Sequence, residues 1–264
     1  MPDLCSYLLR CSCKIDHQSE KIMLVQTEGI ILKRIKYSDT SVIIHVLTAD
    51  HGKVSVIVNG VRKAKSRMNA SYFQPMNLIQ FSFFKKNNST LYRIKEVAMS
   101  YYYQQLNLDI LRGSMGMYLA EIVQRSVHEK EDYPNLYAFL KSWYQYLDAG
   151  EDVGMIHIWA LIQISKILGF GIGNDQNEVD VHFHLLEGVF VNEEEYSSDF
   201  IVSKEWSDVI QQLNTASLDG LKNIRMSRKD KYGLLSKLEY YFSIHVDGFG
   251  NVQSLDVLRQ VMDV

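Results

Sequence analysis

The stretch TSVIIHVLTADHGKVSVIVNGV, Thr40 to Val61, decides the fold of the first third of this chain. Two runs of β-branched residues flank ADHG, Ala49 to Gly52, and in the second run Val54, Val56 and Val58 recur at every other position, which puts one face inward. A short connector ending in glycine between two such runs reads as a tight hairpin. Working outward, TEGIILKRI precedes the pair, and NLIQFSFF and TLYRIKEVAM follow it, set apart by YSD, by a basic connector and by KKNNS. Five short antiparallel strands between Gln26 and Met99 predict a small closed barrel.

The connector holds Arg62, Lys63, Lys65 and Arg67 and is followed at once by Tyr72 and Phe73. Its charge is part of a wider imbalance. The whole chain carries a net charge of only -3, yet Met23 to Ser100 has 12 lysines and arginines against Glu28, Asp39, Asp50 and Glu96, while Tyr101 onward has 13 against 24 carboxylates. A basic module joined to an acidic one favours a polyanion on the first and contacts of another kind on the second. Cations interleaved with aromatic rings suit single-stranded nucleic acid, whose phosphates need charge and whose unpaired bases stack. The plainer reading of a charge run is a solvated loop, with Phe73 in a core. A barrel that binds an acidic protein partner instead of nucleic acid is the alternative function.

After Tyr101 the hydrophobic spacing becomes helical: Leu108, Leu111, Met115, Leu119, Ile122 and Val123 form one stripe, with Arg112, Glu121 and Arg125 off it. Pro134 suits the first position of PNLYAFLKSWYQYL, which the Gly150 region closes. DVGMIHIWALIQISKILGFG is apolar nearly all round and predicts a buried central helix; His157, Gln163 and Lys166 argue against a membrane span. Ser203 is a candidate cap for KEWSDVIQQL, and Ser227 with Asp230 resembles a capping box. The organisation read here is an irregular leader over 1–22, a barrel over 23–100, and a helical domain over 101–264 with a short hairpin near 178–192.

Cys5, Cys11 and Cys13 are the three cysteines and all lie in the leader, so no disulfide framework is indicated and a reducing, cytoplasmic setting is expected. The leader lacks the apolar run of a signal peptide, and the folded part is read as beginning at Met23. Phosphate-loop, zincin, nucleophile-elbow and dinucleotide-binding motifs do not occur, and GFGIGND follows a helix, the wrong context for a phosphate cradle. His45 and His51 have no nucleophile near them in sequence. No enzymatic activity and no cofactor are expected.

GIILKRIKYSDTSVIIHVLTADHGKVSVIVNGVRKAKSR, followed by FQPMNLIQFSFF, resembles the N-terminal barrel of the RecO family of bacterial recombination mediators, and SLDVLRQV, Ser254 to Val261, resembles that family's closing helix. The resemblance implies an α+β protein: a five-stranded antiparallel OB-fold barrel followed by an α-helical domain. It implies binding of single- and double-stranded DNA, annealing of complementary strands, and work with RecR, and in many members RecF, to load RecA on strands coated by the single-stranded-DNA-binding protein, whose acidic tail these proteins contact.

The residues expected to take DNA are Lys33, Arg34, Lys36, Arg62, Lys63, Lys65, Arg67, Tyr72 and Phe73, with Lys85 and Lys86 as the alternative basic pair. Arg112 and Arg125, cations in an acidic domain, are the candidates for a carboxylate-ended peptide such as that acidic tail. Some family members carry a four-cysteine zinc site after the central helix, and this chain has no cysteine between Gly171 and Val191. Asp180, His182 and His184 alternate onto one face, with Glu178 nearby, but solvent-facing side chains on a short hairpin are the commoner case. No metal is expected.

Overall fold

Gly29 marks the point at which strand β1, Met23–Lys36, changes partner. Up to Ile30 it runs antiparallel to β4, Leu78–Lys85, and from Gly29 onward to β2, Val42–Thr48, so that Gly29 stands opposite both Ile79 and Thr48. A Cβ there would lie 2.4 Å from Val46 Cγ1. Only glycine admits so close a crossing, and the strand bends here from one sheet edge to the other. The computed structural model describes residues 22–61, 68–86, 89–129, 131–150, 153–173 and 181–263.

With β3, Lys53–Val58, and β5, Leu91–Met99, the strand order β1-β2-β3-β5-β4 closes into a barrel, the five-stranded Greek-key arrangement of the OB-fold. One expectation is corrected. The barrel is not antiparallel throughout, because β3 and β5 pair parallel. A closed ring with an odd number of strands cannot alternate direction all the way round, so one parallel pair is obligatory, and it falls between two strands that no hairpin joins. The β2–β3 hairpin turns at Gly52, whose φ of +58 suits the residue without a Cβ.

The barrel interior is filled by Val25, Ile31, Ile44, Val46, Val56, Phe81, Phe83 and their neighbours. Phe73 plugs it, carried on a 3₁₀ turn, Ala70–Phe73, whose Ser71 amide donates to the Asn69 side chain at 3.0 Å. The register of β1 against β2 shifts between Ile31 and Lys33. Leu32 is the extra residue of this bulge, which re-aims the side chains after it. Ile31 faces the barrel core, Leu32 joins the helical core, and Lys33 emerges opposite His45.

The helices are α1 (Ile110–Ser126), α2 (Pro134–Ala149), α3 (Ile156–Ile167), α4 (Lys204–Thr215), α5 (Arg228–His245) and α6 (Ser254–Asp263), with a small hairpin of β6 (His182–His184) and β7 (Val189–Val191) between α3 and α4. The central helix α3 is buried as its all-round apolar sequence predicts. Asp109 caps α1, Pro134 opens α2, and Ser227 accepts the Asp230 amide at 3.1 Å; Ser203 precedes α4 without a side-chain capping bond. Leu108, expected on the buried stripe of α1, precedes the helix and is 81% exposed. Among the described residues no helix is long and apolar enough to cross a membrane.

Barrel and helices share a core. Ile30, Leu32, Leu47, Met76 and Leu78 point out of the barrel into the cluster built by α1, α2 and α3, each contributing about 1.5–3 kcal/mol through burial. Polar contacts fix the joint. Lys53 Nζ donates to the Gln124 and Val127 carbonyls at the end of α1, where a cation also complements the helix dipole. Glu28 accepts from Lys141 Nζ at 2.6 Å and from the Tyr137 hydroxyl at 2.9 Å. These contacts leave the outer surface of β1, β2, β3 and β5 as the barrel's open side.

Candidate nucleic-acid interface

The register of the strands assembles that open side residue by residue. Ile35, Ile43, Ile57 and Arg93 stand in one row across β1, β2, β3 and β5, and Lys33, His45, Ser55 and Leu91 in the next. Three strand spacings make the face roughly 14 Å wide. Lys33 and Arg93 are exposed at opposite margins and make no ion pair among the described residues, while half-buried Ile43 and Ile57 form the floor between them. A shallow apolar floor with cations on both margins has the chemistry to carry unpaired bases flat and phosphates along its rim.

His45, in the middle, is held in place. Its Nδ1 lies 2.9 Å from Ser55 Oγ, and that hydroxyl donates to Glu129 Oε1 at 3.0 Å, so the imidazole donates from Nδ1. Burial, and then the charges of Lys53 and Lys33, push its pKa below the usual histidine value. It is therefore neutral at pH 7, and the cationic margins are not reinforced from the centre.

Lys36 is exposed at the end of β1 and makes only a loose 3.9 Å contact with Asp39, both side chains being largely in solvent. Such a pair contributes little, so Lys36 is available to a ligand. Lys36, Val42 and Val58 share one row, so the basic connector departs from the strand two removed from Lys36, with Ser41 Oγ bonded to the Asn59 side chain at 3.2 Å beside it. Arg62, Lys63, Lys65 and Arg67 themselves lie outside the described residues. Arg34 is half-buried at the junction with α1, Lys85 is half-buried at the end of β4, and Lys86 is exposed.

The assignment of Phe73 requires correction. Phe73 is 0% exposed in the barrel core and has no ring face left for a base. Tyr72 is half-buried and packs against that same core. Sequence reasoning missed two rings that are open. Tyr37, in the turn between β1 and β2, is 60% exposed next to Lys36, and Phe84, in β4 between Leu24 and Arg93, is 36% exposed. The turn YSD carried a signal for Tyr37, because no alternation there calls for burial; Phe84 occupies a position that period-two reading places outward.

Arg112 and Arg125 are also corrected, since neither is a spare cation. Arg112 donates to the Leu147 carbonyl and, at 2.8 Å, to the Gly150 carbonyl, capping the end of α2, and stands 3.5 Å from Asp109. Arg125 donates twice to Glu121, at 3.0 and 2.8 Å, and to the Phe249 carbonyl at 3.1 Å. On the small hairpin, His182 Nδ1 lies 3.1 Å from the Val202 carbonyl, while His184 is buried against Tyr196 and Phe200. Glu178 and Asp180 lie outside the described residues, and among the described residues no group of three metal-ligating side chains comes together.

Comparison with known proteins covers both halves. Residues 23–103 match the family described as Recombination protein O N terminal, and residues 107–254 match Recombination protein O C terminal. The DNA repair protein RecO of Phocaeicola vulgatus is 30% identical over 240 residues, spanning 90% of this chain and 99% of that protein. Those of Flavobacterium johnsoniae and Christiangramia forsetii are 28% and 27% identical, again over 90% of this chain and 99% of each relative. The matched spans run through the barrel and on into the start of its last helix, and on that ground the chain belongs to the RecO family.

Proposed function

We propose that this chain is a DNA-binding recombination mediator. It binds single- and double-stranded DNA on the barrel, anneals complementary strands, and helps to load RecA on strands coated by the single-stranded-DNA-binding protein, together with RecR and with or without RecF. Membership of the RecO family supports a role in DNA repair and recombination. The observation that carries the DNA-binding reading is the outer face with Lys33 and Arg93 at its margins over an isoleucine floor. Annealing has a physical basis in such a face, since phosphates held at the rim reduce the repulsion between two strands while the bases stay exchangeable. In sequence, Arg62, Lys63, Lys65 and Arg67 follow β3 and add to the same charge.

The test is a titration with an unstructured oligonucleotide at several salt concentrations. Affinity is expected to fall with salt at about 0.7 log units per log unit of salt for each phosphate neutralised on a single strand. An acidic peptide of equal charge serves as the comparison. A chain that binds the peptide as tightly as the oligonucleotide is a protein scaffold, and the proposal fails.

A further inference from the structure

A second feature lies where the barrel meets the helices. It is a cleft of about 300 Å³ between Lys33 and Arg34 of β1, Pro75, Met117 and Gln124 of α1, and Ser254 at the start of α6. Among the described residues Glu121 is the one carboxylate on its wall, and it is fully engaged. Its Oε1 takes the Arg125 guanidinium at 2.8 and 3.0 Å, and its Oε2 takes the Ser254 amide at 2.9 Å and hydroxyl at 2.6 Å. Lys33 and Arg34 make no ion pair among the described residues. The cleft therefore presents two uncompensated cations beside an apolar wall of Pro75 and Met117, the latter 41% exposed. Lys33 stands opposite His45, so it lines the cleft and also marks the margin of the isoleucine-floored face.

We infer that this cleft receives one unpaired nucleotide of a strand continuing from the barrel face, with its phosphate on Lys33 and Arg34 and its base against Met117 and Pro75. The inference rests on the DNA-binding reading above and adds a selection for single strands. The volume is at the small end of ligand pockets. It admits one nucleotide but no duplex, so a base must leave its partner to enter. A strand seated this way touches both modules at once and ties the barrel to α1.

Met117→Trp in the full chain places a fluorescent ring on the cleft wall without disturbing a buried site. An unstructured oligonucleotide is expected to quench it with saturation, and a blunt duplex of equal length to leave it unchanged while still binding by anisotropy. Met117→Glu, through the base contact, and Arg34→Ala, through the phosphate contact, are each expected to weaken single-strand binding by about tenfold, with duplex binding unaltered. Oligonucleotide binding by anisotropy with neither quenching nor any change in the single-strand to duplex ratio overturns the cleft while leaving the DNA-binding reading standing. Quenching by an acidic peptide but not by the oligonucleotide overturns the cleft assignment. Absence of oligonucleotide binding in the unaltered chain overturns the DNA-binding reading, and the cleft with it.

Discussion

The carboxylate of Asp148, at the end of α2, accepts the backbone amide of Leu106 at 2.8 Å, and with it the amides of Gln105 at 2.8 Å and Gln104 at 3.0 Å and the hydroxyl of Tyr101. The segment that leaves the barrel is thus tied to the helices by one buried charge. Burial pushes the Asp148 pKa up, but the amides of Gln104, Leu106 and Gln105 outweigh it and hold the group below the usual aspartate range.

Asp148→Asn keeps the shape and removes the charge, and it is expected to cost roughly 2 to 4 kcal/mol of stability, measured by urea unfolding at neutral pH. Because the folded pKa is depressed, this contribution is complete above about pH 4 and fades as pH falls through the folded value. The gap between wild type and variant should therefore narrow in acid. A gap that does not change with pH excludes the charge as the source.

His157 also costs the folded chain stability in acid, but in a higher pH window. It is fully buried in α3, neither ring nitrogen has a hydrogen-bond partner among the described residues, and burial, with Lys231 nearby, lowers its pKa to about 3. The unfolded chain binds a proton there near pH 6.5 and the folded chain does not, so stability falls by about 1.4 kcal/mol per pH unit below 6.5. His157→Leu should remove that slope and raise stability at pH 5. Equal slopes in the two proteins contradict the assignment.

Arg112 is a structural cap, so Arg112→Ala should lower stability by about 1 to 3 kcal/mol by leaving the Leu147 and Gly150 carbonyls without their donor. Affinity for an acidic peptide should not change. A folded variant of unaltered stability that loses such a peptide would restore the receptor role withdrawn above.

The barrel face and the basic connector are separable by salt. Lys33→Ala with Arg93→Ala should flatten the oligonucleotide salt slope by about 1.4, and replacing Arg62, Lys63, Lys65 and Arg67 together by up to about 3. Tyr37→Ala is expected to weaken binding by roughly 1 to 3 kcal/mol with the slope unchanged, because no counterion is released. A double variant with its slope intact moves the site off the strands.

How much of this was legible follows from what each signal is made of. Strands announce themselves by alternation, and the run from Val54 to Val58 is unambiguous; helices do so by spacing, as α3 shows. The parallel closure was also available, since counting five strands in a ring requires it. The Leu32 bulge was not, because an extra apolar residue leaves the hydrophobic pattern looking continuous. Composition alone does not separate Phe73 from Tyr37 and Phe84 as open rings; position does, since Tyr37 sits in the YSD turn and Phe84 at an outward position of β4. Arg112 and Arg125 looked spare because the carbonyls they bind lie as far as 38 and 124 residues away.

The parallel pairing of β3 with β5 has a mechanical consequence. It spans only Ser55 to Ile57 against Leu91 to Arg93, it has no hairpin holding its ends, and parallel ladders are slightly weaker per residue. A ring under thermal motion parts at its weakest stitch, so the amides along this stitch should exchange with solvent before those of the hairpin-bound strands. The face between Lys33 and Arg93 straddles that stitch. A strand lying across both margins would act as a splint, and slower amide exchange at Tyr92 and Arg93 on oligonucleotide addition is how that splinting would be seen.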